Sequence, residues 1–138
     1  MAGAYFPGYS AEDANKDIGD SAIMETGGIG GMAIATAPAI VRFLGAGKYQ
    51  DAVNYTNNMY EITLSEQDQY AMPDMDFRGS PIGIDILKVV ETGISPIINT
   101  AIACKRPGVG MIGAGISKAP LEMFEEAMGA FGEAHGLQ

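Results

Sequence analysis

Tryptophan is absent from the 138 residues, cysteine and histidine occur once each, and only eight side chains are basic. The single Cys104 rules out an internal disulfide framework and a thiolate metal cluster, and it favours a reducing compartment. The single His135 lies in the C-terminal tail, where it makes a poor base for a Ser-His-Asp triad. No His or Cys spacing supplies a metal site, and nothing in the carboxylate spacing singles out Mg²⁺. Eight basic against 17 acidic side chains leave a net charge of −9. Phosphate backbones repel such a chain, and no basic stripe reverses the sign locally. Nucleic acid and anionic membrane are therefore poor partners, whereas a small anion held by a few local donors is compatible with the charge. Long apolar runs are also missing. The most apolar stretch, residues 28–41, is too short to span a bilayer and is broken by Pro38 and by glycines. Residues 1–8 lack the basic start and apolar run of a secretory leader. The expected location is cytoplasmic, with no metal and no cofactor. Charged residues make up 18% of the chain, below the usual level of about 25%. One reading of this scarcity is a surface that meets another subunit or the chain itself; the other is a quiet surface.

Glycine is what the chain has in excess, at 19 residues. The glycines cluster among Ile, Val, Met and Ala, which argues against disorder. Clustered glycine in apolar surroundings points to close backbone approach, special dihedrals or amides offered to a ligand. The spacing of the other residues predicts helices first and then a helix–β-hairpin–helix unit. Ser10-Ala11-Glu12-Asp13 has the form of a capping box within an otherwise irregular opening of residues 1–20. Asp20 or Ser21 is placed to cap a short helix through Ala22, Ile23 and Met24. Residues 32–44 are apolar almost all round and predict a buried helix kinked at Pro38, stopped by Gly45-Ala46-Gly47. Residues 48–66 carry Tyr49, Ala52, Val53, Tyr60, Thr63 and Leu64 on one face and predict the clearest helix. Residues 70–77 read as a loop leading into a short strand. Ser80-Pro81 reads as a helix start, with Ile84, Leu87 and Val90 as the stripe and Gly93 as the stop. Residues 94–103 and 109–117 read as two strands joined by Arg106-Pro107-Gly108-Val109, a type II turn. Pro120 then opens a last helix with Leu121, Phe124, Met128 and Phe131 on its inner face. No linker or repeat divides residues 1–138, so a single α+β domain with a small antiparallel or mixed sheet is expected.

Gly28-Ile29-Gly30-Gly31-Met32-Ala33 matches the dinucleotide pattern in letters only, because no strand precedes it and no βαβ frame surrounds it. Close packing, or an anion held by amides at a helix start, suits Gly28 and Gly30 better. The richest chemistry lies between Asp76 and Lys118. Asn99 and Thr100 interrupt an apolar strand, and each must be satisfied by neighbouring backbone or face a site. Glu91 sits at a helix end where the dipole disfavours a carboxylate, which leaves surface exposure or a functional role. Arg78, Lys105 and Arg106 adjoin turns. They read as anion ligands or, for the last two, as a solvated hairpin tip. Gly108 and Gly110, with Gly113 and Gly115 beyond them, leave one side of a strand without side chains, so a ligand or a facing backbone can come close.

These segments resemble the YlbE-like family. The resemblance is carried by Phe6-Pro7-Gly8-Tyr9-Ser10-Ala11-Glu12-Asp13-Ala14-Asn15, by residues 19–31, and by residues 76–120, above all Lys88-Val89-Val90-Glu91-Thr92-Gly93 and Ile97-Ile98-Asn99-Thr100. Family proteins are several times longer, and the chain is similar to their C-terminal portion. The resemblance implies association with oxamate carbamoyltransferase, which moves a carbamoyl group between oxalurate and phosphate, and with FdrA-like partner subunits. If the chain is a domain or subunit of such an enzyme, Arg78, Glu91, Asn99 and Thr100 are its catalytic candidates on the residue reading above. Lys105, Arg106, Gly108, Gly110, Gly28 and Gly30 would then bind a small anionic metabolite. Where members often carry His, this chain has Cys104. The other reading is a non-catalytic segment that completes a larger assembly.

Overall fold

The computed structural model describes residues 2–16, 22–43 and 47–137. The architecture is α+β, as the order of elements implied. Strand β1 (Ala2–Tyr5) is followed by a 3-10 turn over Ala11–Asp13. Helix α1 (Ala22–Glu25) leads into a 3-10 segment over Gly30–Thr36, then α2 (Pro38–Phe43) and α3 (Tyr49–Glu61). Strands β2 (Thr63–Met72) and β3 (Arg78–Ile84) form an antiparallel ribbon. Helix α4 (Ile86–Thr92), strands β4 (Ile97–Ala103) and β5 (Met111–Lys118), and helix α5 (Leu121–Ala134) complete the chain. A three-stranded antiparallel sheet runs in the order β1-β5-β4.

The main core gathers Met32, Ile34, Val41, Ala52, Met59, Ile62, Val89, Ile97 and Ile116 from the 3-10 segment, α2, α3, α4 and the β4–β5 pair, with Ile84 of β3 and Leu121 and Phe124 of α5 partly buried against it. A smaller cluster of Ile102, Cys104 and Ile112 lies under Tyr5, Tyr9 and Ala14. The 3-10 segment Gly30–Thr36 is the hub of the main core, with Gly31 to Ala35 all buried. Its Ala35 N–H donates to the buried Thr56 hydroxyl of α3 at 3.0 Å.

Several sequence expectations hold. The hairpin of β4 and β5, the α5 start after Pro120, the Gly93 stop and the Ser10 capping box are all present. Gly108 takes φ +81°, as a type II turn requires. Other expectations are corrected. The opening is not wholly irregular: Ala2–Tyr5 pairs with β5 from Ala2↔Ile116 to Tyr5↔Gly113. Its sequence carries no strand signal; the partner makes the strand. A Cβ at Gly113 would lie 2.3 Å from the Ala4 carbonyl oxygen, so glycine there admits the neighbouring backbone.

The helix expected over residues 48–66 stops at Glu61, and Thr63 begins a strand. The Thr63 hydroxyl donates to the Met59 carbonyl at 2.9 Å and so satisfies the helix end itself. Leu64, assigned to the helix's apolar face, is exposed in β2. Ser80-Pro81 is not a helix start but lies within β3, where Pro81 faces Glu66 in a two-stranded ribbon. Asp85 takes the cap instead, its carboxylate accepting from the Leu87 N–H at 2.9 Å. The helix expected over residues 32–44 is divided into Gly30–Thr36 and α2, with Ala33 non-helical between two turns. The proposed caps Asp20 and Ser21, and Gly45 and Ala46, lie outside the described residues.

Candidate functional site

The expected cations occupy two separate places. Arg78 opens β3, and the chain reaches it through Asp76 and Phe77, both non-glycine residues at positive φ. Its Nε and Nη2 both donate to Glu66 Oε1, each at 2.7 Å. The guanidinium lies 3.5 Å over the Tyr60 ring centroid, and the Tyr60 hydroxyl donates to the Gly79 carbonyl at 2.6 Å. The Glu66 hydrogen bond holds the Arg78 pKa above its ordinary value. Burial pushes the Tyr60 phenol up, partly opposed by the Arg78 charge. A shallow cavity of about 120 Å³ lies beside this group. Fork and face of Arg78 are thus already engaged by a carboxylate and a ring of the same chain. An incoming anion must displace Glu66 to gain the paired hydrogen bonds.

Lys105 and Arg106 sit at the tip of the β4–β5 hairpin on the other sheet. The Lys105 ammonium donates to the Glu12 carbonyl, and the Lys105 N–H donates to the Asp13 carbonyl at 2.8 Å. The Arg106 guanidinium lies 3.9 Å from the Asp13 carboxylate. These residues pin the N-terminal segment to the hairpin. Gly108 and Gly110 have φ of +81° and +82°, and a Cβ on either would meet nothing within 4 Å. They serve the turn's dihedrals; the close approach of backbones occurs at Gly113.

The glycine cluster after α1 does hold an anion, and it is the chain's own. Glu25 is 7% exposed. Its Oε2 accepts from the Gly31 N–H at 2.7 Å and from the Asn99 N–H at 2.8 Å. Strand β4 is a sheet edge, so this carboxylate covers an outward-facing donor of that edge, while Asn15 N–H covers Ala103 at the other end. A Cβ at Gly30 would fall within 2.5 Å of the Glu25 carboxyl, and one at Gly28 would fall 2.4 Å from the Ser80 hydroxyl. Gly28 and Gly30 are therefore sites of close packing. The Asn99 main chain is committed to Glu25, Thr100 donates weakly to the Ala101 carbonyl at 3.4 Å, and Glu91 is exposed in the last turn of α4. Glu25 was not among the expected residues. The signal for it was present: a carboxylate directly before Thr26-Gly27-Gly28, with glycine amides close by in sequence.

A second residue absent from the expected set is Lys118, the last residue of β5. It lines a cleft of about 160 Å³ with Tyr55, Asn58, Gly93, Ser95 and the Met59, Ile94 and Ile97 side chains. Gly93, at φ +67°, ends α4 and turns the chain into this wall. Lys118 is exposed and, among the described residues, forms no ion pair; the cleft it borders is also lined by Ser95 and Asn58, a hydroxyl and an amide. Among the described residues no group of three His, Cys, Asp or Glu side chains is placed to hold a metal ion, and no helix is long and apolar enough to cross a membrane.

The chain is similar to two curated proteins of Escherichia coli (strain K12). It is 50% identical over 135 residues to oxamate carbamoyltransferase subunit AllG, covering 98% of this chain and 32% of AllG. It is 51% identical over 137 residues to the uncharacterized protein YahG, covering 99% of this chain and 29% of YahG. A crystal structure of a conserved protein of unknown function from Enterococcus faecalis V583 superposes with a TM-score of 0.85 at 55% identity, covering 93% of this chain and 30% of that one. No family model matches. The chain spans about a third of the length of the relatives it matches. What stands of the expected resemblance is the likeness to a carbamoyltransferase subunit; the YlbE-like assignment itself has no matching model behind it. The matches to AllG and YahG run over nearly the whole chain, so both cation groups, the Glu25 node and the Lys118 cleft belong to a segment shared with them.

Proposed function

We propose that this chain is a segment of a cytoplasmic carbamoyltransferase subunit of the oxamate type, working with other subunits on a small anionic substrate or phosphate. The observation that carries the proposal is the 50% identity to AllG over 98% of the chain. Carbamoyl transfer asks a protein mainly for orientation and for stabilisation of charge on oxygen. A cation without an internal partner, bordering a concavity beside neutral donors, suits that task. Lys118 meets this description in its cleft with Asn58 and Ser95. Arg78, Glu91, Asn99 and Thr100 stay proposed as catalytic contributors, and Lys105, Arg106, Gly108 and Gly110 as anion contacts, in a site that a further domain would complete. For Arg78 that role requires release from Glu66.

The test is phosphate-dependent carbamoyl transfer from oxalurate in the reassembled enzyme, together with thermal shifts of the 138-residue chain in phosphate, oxamate and carbamoyl phosphate. A bound anion raises the melting temperature by mass action. Lys118→Ala is expected to abolish the shift and lower turnover at least tenfold. Arg78→Ala is expected to keep the shift of the isolated chain while lowering turnover in the assembly. Unchanged turnover in both variants would refute the assignment.

A further inference from the structure

Helix α5 is fourteen residues long and places Leu121, Phe124, Met128 and Phe131 at spacings of three and four, yet none of its residues is buried. A helix with an apolar stripe normally buries it. Here the stripe leans on α4 and leaves a groove of about 580 Å³ between the two helices. It is lined almost wholly by apolar atoms, including those of Ile86, Leu87, Met128, Phe131 and Leu137. Leu87 is 45% exposed, Phe131 50% and Leu137 64%. Contiguous apolar surface of this kind marks an interaction face.

We infer that the α4–α5 groove is the seat for the polypeptide that corresponds to the two thirds of AllG and YahG outside this match. Two observations select that occupant. The relatives are about three times as long as the matched segment, so in them most of the chain must pack on something. The charge carried by the groove and its two helices is also mainly negative. Asp85 lines the groove, Glu122, Glu125, Glu126 and Glu133 lie on α5 and Glu91 on α4, while the one cation of α4, Lys88, is engaged through its ammonium by the Thr63 carbonyl. A second copy of this chain seated on a two-fold axis would set these glutamates against each other. The occupant is therefore a different surface, apolar at its centre and basic at its edges. The inference rests on length and surface chemistry and does not depend on the catalytic reading.

The experiment mixes the 138-residue chain with AllG lacking its matched segment, and measures binding by light scattering after size exclusion and by titration calorimetry. A one-to-one complex is expected. Leu87→Glu and Phe131→Glu should each weaken it at least tenfold while retaining the native circular dichroism spectrum, because both side chains are half exposed. Glu122→Lys with Glu125→Lys leaves the apolar stripe intact and should weaken the complex several-fold, with the loss shrinking at higher salt. Absence of a complex, or equal affinity in the Leu87 and Phe131 variants, overturns the inference. So does self-association of the wild-type chain that Phe131→Glu abolishes, since the occupant would then be a second copy. Anion binding at Lys118 is read by thermal shift in the isolated chain, so either proposal can fail without the other.

Discussion

Burying a carboxylate costs free energy unless donors replace its water, and Glu25 shows where the replacement comes from. One of its oxygens takes two main-chain N–H groups, from Gly31 and from Asn99, residues that lie on opposite sides of the bond between the 3-10 hub and the sheet edge. Removing the side chain orphans both donors. Each unsatisfied buried donor costs about 1–3 kcal/mol, so Glu25→Ala should destabilise the chain by about 3 kcal/mol in urea titration. Glu25→Gln keeps one carbonyl oxygen as acceptor and should lose about half as much. An alanine variant within about 0.5 kcal/mol of wild type, the range of a neutral surface change, would show that the node is not structural. The same logic explains why Gly30 is glycine: a methyl group there would occupy the space of the Glu25 carboxyl.

Among the elements, α3 is tied to the β2–β3 ribbon by the Thr63 hydroxyl at its end and by one phenol along its side. Tyr60 donates to the Gly79 carbonyl and supports the Arg78 guanidinium on its ring. Burial raises its pKa above the ordinary 10.0. The neutral form is thus the one the fold prefers. The stability it contributes is present below the ordinary tyrosine value and is lost as pH rises through the raised one. Tyr60→Phe keeps the ring and removes both the proton and the bond. At pH 8 the wild type should be more stable than this variant by about 1 kcal/mol. In melts above pH 10 the gap should close, and a gap that stays constant would disprove the assignment. This tie was hard to see in the sequence. The period-3.6 pattern ran on past Glu61 through Thr63 and Leu64, and only the Thr63 hydroxyl on the Met59 carbonyl marks the true end. The β4–β5 hairpin and α5 were legible because Pro107, Gly108 and Pro120 impose their own dihedrals. β1 was not, because Ala-Gly-Ala-Tyr becomes a strand only beside the bare backbone of β5. The site was legible in part. Cations near turns were visible, but not that Glu66, Glu12 and Asp13 engage them, and Lys118 gave no local signal beyond ending a strand.

At the level of the whole molecule, 17 acidic and eight basic side chains give a charge that folding compresses into one small volume. Among the described residues two ion pairs form, Arg78–Glu66 and Arg106–Asp13, so most carboxylates have no opposing charge at hand. The compact state therefore carries self-repulsion that the expanded chain relieves. Simple salt screens this repulsion, since the screening length shrinks to about 10 Å at 0.1 M. Exposed ion pairs of this kind contribute little and their loss to screening is small. The melting temperature should therefore rise by roughly 2–5 °C between dilute buffer and about 0.2 M sodium chloride. Sodium fluoride at equal ionic strength should give the same rise, because screening does not distinguish the anion. A flat or falling melting temperature would mean that the acidic surface is not under strain in the isolated chain. The α4–α5 face would then have lost its electrostatic reason for preferring a basic-edged neighbour to a copy of itself.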